Sequence, residues 1–382
     1  MLKHYPLALA PMACHLALVA AGACLGRYGL PHAPDWGALQ SPAIAQAPAW
    51  MQPLLQWDAH WYTQIAAEGY NPKSAAFFPL MPVLAALLAE ATGLPVAAAG
   101  WLLGNVCGIL ALLVAPAAFA PYLERRLAVR ATWLLALLPT SFYLNTFYTE
   151  PLFLLCTLAA FYYAPQGRVW PTALATVGAT LTRNTGLALL LWVGQALIVR
   201  YRRQGLSLKL GLTGVAALAL PAAGLGLFML FGQAAFYDPL AFVTAQASFG
   251  RQACWPGTGL WLGLRQLAAW GFVPTAGRLF LFLGVALQGA ALLAWATIAR
   301  QAWRQPLWRW GCGLAAVWLL VPLTSCMATD PLQSISRYVL VNVPLYLAVS
   351  LLPTRAYLLW CLASALGLLL ATALFAQGWW VA

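Results

Sequence analysis

The chain has 382 residues, of which 63% are hydrophobic and 7% charged, with a mean hydropathy of +0.78 and a formal net charge of +12. That composition excludes a soluble core, because apolar surface on this scale needs lipid as its solvent. Nucleic-acid binding is excluded as well, since the Lys and Arg residues fall in short clusters between apolar runs, the pattern that membrane topology demands.

The expectation is an all-α polytopic membrane protein, one integral membrane domain over 1–382. All cysteines but Cys254 lie within or beside apolar runs, so they form neither a disulfide framework nor a CxxC-type metal pattern. Lys3 and His4 precede a first apolar run over 7–25. Ala21-Gly22-Ala23-Cys24 loosely resembles a processing site, but the polytopic remainder favours an uncleaved first span.

Residues 27–95 form the first outer loop, Pro-rich and non-periodic as far as residue 75. It holds Trp57-Asp58-Ala-His60-Trp61-Tyr62, followed by Gln64 and Glu68-Gly69-Tyr70. Phe77-Phe78-Pro79-Leu80-Met81-Pro82 then leads an apolar stretch to Ala91 that is too short and Pro-broken for a span of about 20 residues, which predicts an interfacial or re-entrant helix. The run 96–120 is long enough to cross, and its Gly100, Gly104 and Gly108 at four-residue spacing predict close approach of another helix.

Arg125, Arg126 and Arg130 mark an inner loop. Further crossings are expected at 131–147, 150–164, 171–182, 187–199, 209–231, 278–299, 310–328, 338–352 and 357–375, about eleven in all, with a second long outer loop at 232–277. On this topology the inner side carries thirteen basic residues against the single acid Glu124, and the outer side seven basic residues against seven acids. Functional polar groups are therefore expected at the outer face.

Besides the Asp58 motif, four outer positions stand out: Tyr148-Thr149-Glu150, Arg183-Asn184, the loop from Tyr237-Asp238-Pro239 through Gln246 and Phe249 to Arg251, and Ser336-Arg337-Tyr338. Ionisable groups at a bilayer edge are costly unless paired or facing a wet cavity, which makes each a functional candidate. Each has a structural alternative. Asp58 could be an acid at a helix N-terminus, Glu150 and Arg183 a structural ion pair, and Arg251 and Arg337 snorkelling cations. His60 could be a hydrogen-bonded interfacial histidine, and Trp57, Trp61, Tyr62 and Tyr70 an interface belt. The spacing of Asp58, His60 and Glu68 is not diagnostic of a metal. Taken together, one carboxylate, aromatic platforms and several arginines on one face suit transfer of a sugar from an anionic lipid carrier to a hydroxyl, the carboxylate taking the proton and Arg stabilising the departing phosphate.

The run Trp57-Asp58-x-His60-x-Tyr62-x-x-Ile65-Ala66-x-x-Gly69-Tyr70 resembles the first outer loop of the PIG-V-like mannosyltransferases, members of the GT-C class. Further matches follow in family order: Phe77-Phe78-Pro79-Leu80-x-Pro82, Tyr148-Thr149-Glu150 where the family often has Tyr-Ser-Glu, Arg183-Asn184-x-Gly186, Asp238-Pro239-Leu240-Ala241-Phe242 with Gln246 and Arg251, and Arg337-Tyr338 before Pro344. The resemblance implies a GT-C-type fold with interfacial helices in the first outer loop, a polyprenyl- or dolichyl-phosphate sugar donor, inversion at the anomeric carbon, and Asp58 as the catalytic acid group.

The expected activity is thus a metal-independent inverting glycosyltransferase, a mannosyltransferase by resemblance, with no cofactor. Asp58 is the base, Trp57, His60, Trp61 and Tyr62 shape the sugar site with Tyr148, and Glu150 orients the acceptor or pairs with Arg183. Arg251 and Arg337 hold the carrier phosphate, with Asn184, Asp238, Gln246 and Tyr338 as further substrate contacts. The partners are a lipid-linked sugar and a glycan, lipid or protein hydroxyl. The setting is a bacterial inner membrane or an ER membrane, with the site on the non-cytoplasmic face. The rival is a transporter or flippase, disfavoured by the absence of an internal repeat and by ionisable residues clustered at one face; a structural membrane subunit would not need the outer acids.

Overall fold

In lipid, a long apolar run must close its backbone hydrogen bonds within itself, and among the described residues six helices are long and apolar enough to cross a membrane. The computed structural model describes residues 6–33, 42–270, 276–327, 332 and 334–381, with backbone only at 270 and 276–280. Lys3, Asp35, Asp330 and the side chain of Arg278, all counted in the charge balance, lie outside the described residues.

In chain order the helices are α1 (Pro6–Gly29), α2 (Pro42–Ala45), α3 (Asp58–Glu68), α4 (Leu80–Thr92), α5 (Val96–Phe119), α6 (Arg125–Leu137), α7 (Glu150–Tyr163), α8 (Val169–Thr182), α9 (Leu190–Gln204), α10 (Leu208–Phe236), α11 (Ala241–Thr244), α12 (Thr258–Trp270), α13 (Ala276–Arg304), α14 (Pro306–Leu323), α15 (Ile335–Val341), α16 (Val343–Val349) and α17 (Thr354–Ala376). The six long apolar ones are α1, α5, α10, the Leu281–Arg304 part of α13, α14 and α17, and they overlap the crossings expected at 7–25, 96–120, 209–231, 278–299, 310–328 and 357–375.

The remaining expected crossings form shorter pieces, and proline accounts for two of them. The stretch 131–147 is helical only to Leu137, because Leu138 ahead of Pro139 is extended (ψ 136°) and residues 141–145 make a 3-10 turn. The stretch 338–352 is split into α15 and α16 at Asn342, two residues before Pro344. α7 and α8 have 14 residues each, a reach of about 21 Å against a hydrocarbon core of about 30 Å. The stretch 187–199 begins as a 3-10 segment, Asn184–Leu189, before α9. These breaks matter because Glu150, Arg183 and Arg337 sit at or beside them.

The glycine stripe on α5 does not simply admit another helix. A side chain at Gly104 would collide with the Thr146 carbonyl, one at Gly108 with the Leu144 carbonyl, and one at Gly100 with the Phe147 ring. The stripe receives the irregular segment that ends in Tyr148 and Glu150, and so sets how close that segment lies to α5.

α4 forms where an interfacial helix was expected and ends at Gly93, whose φ of 73° suits glycine. The second long loop is partly helical: α10 runs on to Phe236, and α11 and α12 follow. β1 (Gln252–Ala253) pairs antiparallel with β2 (Ser325–Cys326), tying that loop to the end of α14. α1 lies close against α17, where a Cβ on Gly22 would stand 2.7 Å from the Leu369 carbonyl oxygen. Beyond α17 the chain folds back: Gln377 O accepts from Ala33 N at 2.8 Å, and Val381 O accepts from the buried Tyr143 hydroxyl at 3.3 Å.

Candidate active site

Asp58 is the first residue of α3, and its backbone is held before its side chain is used. Trp57, just ahead of it, has φ 53° and ψ −110°, a conformation costing a bulky residue about 1–3 kcal/mol that persists only when neighbours enforce it. The enforcing group is the buried Tyr148 hydroxyl, which accepts from Asp58 N at 3.1 Å and donates to Gln56 O at 3.1 Å, so one phenol grips both sides of the strained residue.

The Asp58 carboxylate meets Arg337, whose Nη1 donates to Oδ2 at 2.5 Å. The same guanidinium turns its Nε to Glu150 Oε1 at 2.5 Å, and Arg183 Nη1 donates to that oxygen at 2.8 Å. Glu150 is fully buried at the first residue of α7, where a helix N-terminus favours negative charge. Arg337 lies over the rings of Tyr148 and Tyr143, 4.8 and 5.4 Å from their centroids. Ions so far from water need opposite charges beside them, and the chain Asp58, Arg337, Glu150, Arg183 supplies them by alternating sign, with both arginines on Glu150 Oε1 and with Oε2 left, among the described residues, without a hydrogen-bond partner. Arg183 also lies over the Tyr338 ring at 5.2 Å. Arg251 donates from Nη2 to Ser334 Oγ at 2.8 Å and from Nη1 to Tyr338 Oη at 3.4 Å.

This network opens into a cavity of about 580 Å³ whose charged lining, among the described residues, consists of Asp58, Arg183, Arg251 and Arg337. One carboxylate facing three guanidiniums suits an anionic ligand that presents a proton to be removed.

The sequence pattern of the family described as Mannosyltransferase (PIG-V) matches residues 39–237, just over half of the chain. The chain belongs to the PIG-V mannosyltransferase family. Its apolar helices make it a multi-pass membrane protein. No curated protein matches it. Among solved structures it is similar to the oligosaccharyltransferase of Archaeoglobus fulgidus, at 12% identity and TM-score 0.45 in the complex with Zn and sulfate and 11% and 0.46 in the apo form. In both, 96% of this chain is covered but only 53% and 56% of the other, so the chain spans about half the length of those proteins.

The PIG-V match takes in Asp58, Glu150 and Arg183 and stops before Arg251 and Arg337, which complete the cavity of this family member from outside the matched segment. Of the sequence-predicted site residues, Asp58, Tyr62, Arg183, Asn184, Gln246, Arg251, Arg337 and Tyr338 line the cavity. Tyr148 and Glu150 lie buried behind that lining, and Glu150 is paired with both Arg183 and Arg337. Trp57 is packed against Trp380 at 5.0 Å and does not line the cavity.

Trp61 likewise stands one layer back, stacked on Phe77 at 5.9 Å and edge-on to Phe249 at 5.6 Å, and it is Phe77 and Phe249 that reach the cavity. His60 is edge-on to Trp61, off the lining, and half-burial pushes its pKa below the ordinary histidine value against the pull of Glu68. Asp238 is spent locally, its Oδ1 accepting from Leu240 N at 2.8 Å. Among the described residues no three metal-ligating side chains gather, so Asp58, His60 and Glu68 do not form one cluster.

Sequence reasoning missed Tyr143, which underlies Arg337, and Trp380, which lines the cavity beside Asp58. Nothing distinguishes Tyr143 from any aromatic in an apolar run; the Trp379-Trp380 pair past the last apolar run was the available signal for Trp380. An apolar groove of about 600 Å³, lined by Leu187, Leu190, Leu191, Trp310 and Val317 among others, adjoins the cavity and shares Asn184 and Val321 with it.

Proposed function

We propose that this PIG-V family member transfers a sugar, mannose by family, from a polyprenyl- or dolichyl-phosphate carrier to a hydroxyl acceptor at the non-cytoplasmic face, with inversion, as a GT-C-type enzyme. The observation that carries the reading is Asp58: among the described residues it is the one carboxylate on the lining of a cavity otherwise charged by arginines. A retaining double displacement would call for a second carboxylate at the reacting carbon, whereas Glu150 is fully buried and engaged by two arginines.

In the proposed step the acceptor oxygen attacks the anomeric carbon and its proton passes to Asp58. Oδ2 is held by Arg337, which leaves Oδ1 for the proton. The bond between the anomeric carbon and the phosphate oxygen breaks, and the electron pair leaves with the polyprenyl phosphate. Arg337 is committed to Asp58 and Glu150, so its role is to aim the base, and the phosphate falls to Arg251 with Arg183. These arginines supply the positive charge that the leaving group needs. The adjoining apolar groove supports a lipid carrier, since an amphiphile with its phosphate at Arg183 would run its chain past Asn184 and Val321. Gln246 and Asn184 offer amide groups to sugar hydroxyls.

The test is transfer in proteoliposomes from radiolabelled polyprenyl-phosphate mannose, read as a covalent product. Asp58→Asn is expected to lower turnover by about 10²-fold or more. Label that crosses the bilayer with no covalent product would replace this reading with the transporter.

A further inference from the structure

Trp380 comes from beyond α17, yet it lines the same cavity as Asp58. Its ring meets Trp57, the residue before Asp58, at 5.0 Å and an interplanar angle of 66°. The segment that carries it is anchored on both sides: Trp379 Nε1 donates to Pro31 O at 3.3 Å, and the next residue, Val381, is buried with its carbonyl on the Tyr143 hydroxyl. Tyr143 in turn lies under Arg337. A chain segment fastened this way to the floor of the charge network holds its aromatic ring in a fixed place.

We infer that Trp380 is the acceptor-positioning residue of the cavity, the wall against which the attacking molecule lies while Asp58 takes its proton. The inference rests on the glycosyl-transfer reading and extends it to the side of the cavity that reading leaves undescribed. In a single displacement the nucleophile enters opposite the leaving group. The phosphate side is marked by Arg183 and Arg251 and by the groove that begins at Asn184 and Val321. The nucleophile side is marked by its base, and Asp58 shares the lining with Trp380, which packs on the preceding residue Trp57, and with Tyr62, four residues further along α3, whose ring meets that of Phe77 at 5.2 Å. Trp380 and Tyr62 give that part of the lining flat apolar faces, which offer contact area at little cost in side-chain entropy. A molecule held only there loses its place when the indole is removed, and water can take the sugar instead.

The experiment uses the full chain in proteoliposomes with radiolabelled polyprenyl-phosphate mannose. Whichever of octyl mannoside, octyl glucoside and 1-O-octylglycerol the wild type mannosylates serves as acceptor. Transfer to that acceptor and hydrolysis of the donor to free mannose are measured together for wild type, Trp380→Ala and Trp380→Phe. Trp380→Ala is expected to raise the acceptor KM about tenfold and to move product from transfer toward hydrolysis, with the donor KM unchanged, while Trp380→Phe keeps most of the partition. An acceptor KM within twofold of wild type in Trp380→Ala overturns the inference, as does a rise in donor KM instead. A merely structural role would lower both reactions together and leave their ratio alone. If the wild type neither transfers nor hydrolyses the labelled donor, it is the underlying glycosyl-transfer reading that fails, and the inference with it.

Discussion

Arg337 reaches Asp58 across 279 residues of sequence and binds its carboxylate at 2.5 Å. The base of the proposed reaction is thus aimed by a guanidinium that also satisfies the buried Glu150. Arg337→Ala would leave Glu150 paired with Arg183 alone and Asp58 without its partner. Removing one member of a buried ion pair costs about 3–5 kcal/mol, so thermal unfolding of the purified protein should show a large loss. Arg337→Lys keeps the charge but cannot donate in two fixed directions, and should fall between, with sugar transfer hit harder than stability. Wild-type turnover in Arg337→Lys would show that the two-carboxylate bridge is not needed.

Asp58→Asn separates chemistry from architecture. The amide keeps the size of the carboxylate and an oxygen for Arg337, and the Tyr148 grip is on the backbone nitrogen, so the fold and the donor KM should persist. Turnover should drop about 10²-fold or more, the usual cost of a lost general base. A melting temperature close to wild type alongside lost transfer is the result to look for.

The glycine stripe of α5 predicts an effect on activity at a distance. Gly104→Ala would push on the Thr146 carbonyl, four residues before Glu150. Overpacking of this kind costs about 1–3 kcal/mol, and here the displaced segment carries Tyr148 and Glu150. Transfer should therefore fall along with the melting temperature. Gly211 on α10 is the control: nothing stands within 4 Å of an added Cβ, so Gly211→Ala should be neutral or stabilising by about 0.5–1 kcal/mol through helix propensity.

His60 gives a pH dependence whose sign follows from burial. Its folded-state pKa lies below the ordinary value of 6.5 because half-burial disfavours the cation. The unfolded chain therefore binds the proton first as pH falls, so the stabilising contribution is fully present above 6.5 and is lost as pH drops through the folded pKa. The melting temperature of the wild type should fall between pH 7.5 and pH 5.5 by more than that of His60→Gln. Equal falls in the two proteins would remove His60 from the account.

The apolar groove predicts selectivity for chain length. A Cβ on Gly194 would lie 3.9 Å from the Trp310 ring, so Gly194→Leu would place its further carbons into the groove. A long polyprenyl donor should then show a KM raised about tenfold, a loss equivalent to about two buried methylenes, while a single-isoprene phosphate sugar is unaffected. Parallel loss for both donors would argue that the chain lies elsewhere.

Much of this was legible in the residues, for physical reasons. The six long helices announce themselves by length and hydropathy alone, as in α5 and α17. Asp58, Arg183 and Arg337 were legible because charge is rare in this chain and costly in lipid. What sequence could not give was direction. Glu150 and Arg183 read equally well as a private pair, and only the fold brings Arg337 to the same carboxylate oxygen. Trp61 and Trp57 look like the sugar platform but stand behind Phe77 and Trp380, because which face of a short helix meets a cavity depends on neighbours far along the chain. The helix breaks at Pro139 and Pro344 were visible as prolines, but their use, to bring irregular segments to the site, was not.

The separation of Glu150 from Arg337 also has a bearing on biosynthesis. The two are 187 residues apart, which at about 5–20 residues per second is on the order of ten to forty seconds of synthesis. For most of that interval Glu150 has Arg183 alone as an available partner, made 33 residues after it, and Asp58 has no Arg337 to meet. A chain stalled before Arg337 therefore lacks the partner of Asp58 and the second partner of Glu150, a chemical mark by which quality control could tell an unfinished molecule from a finished one.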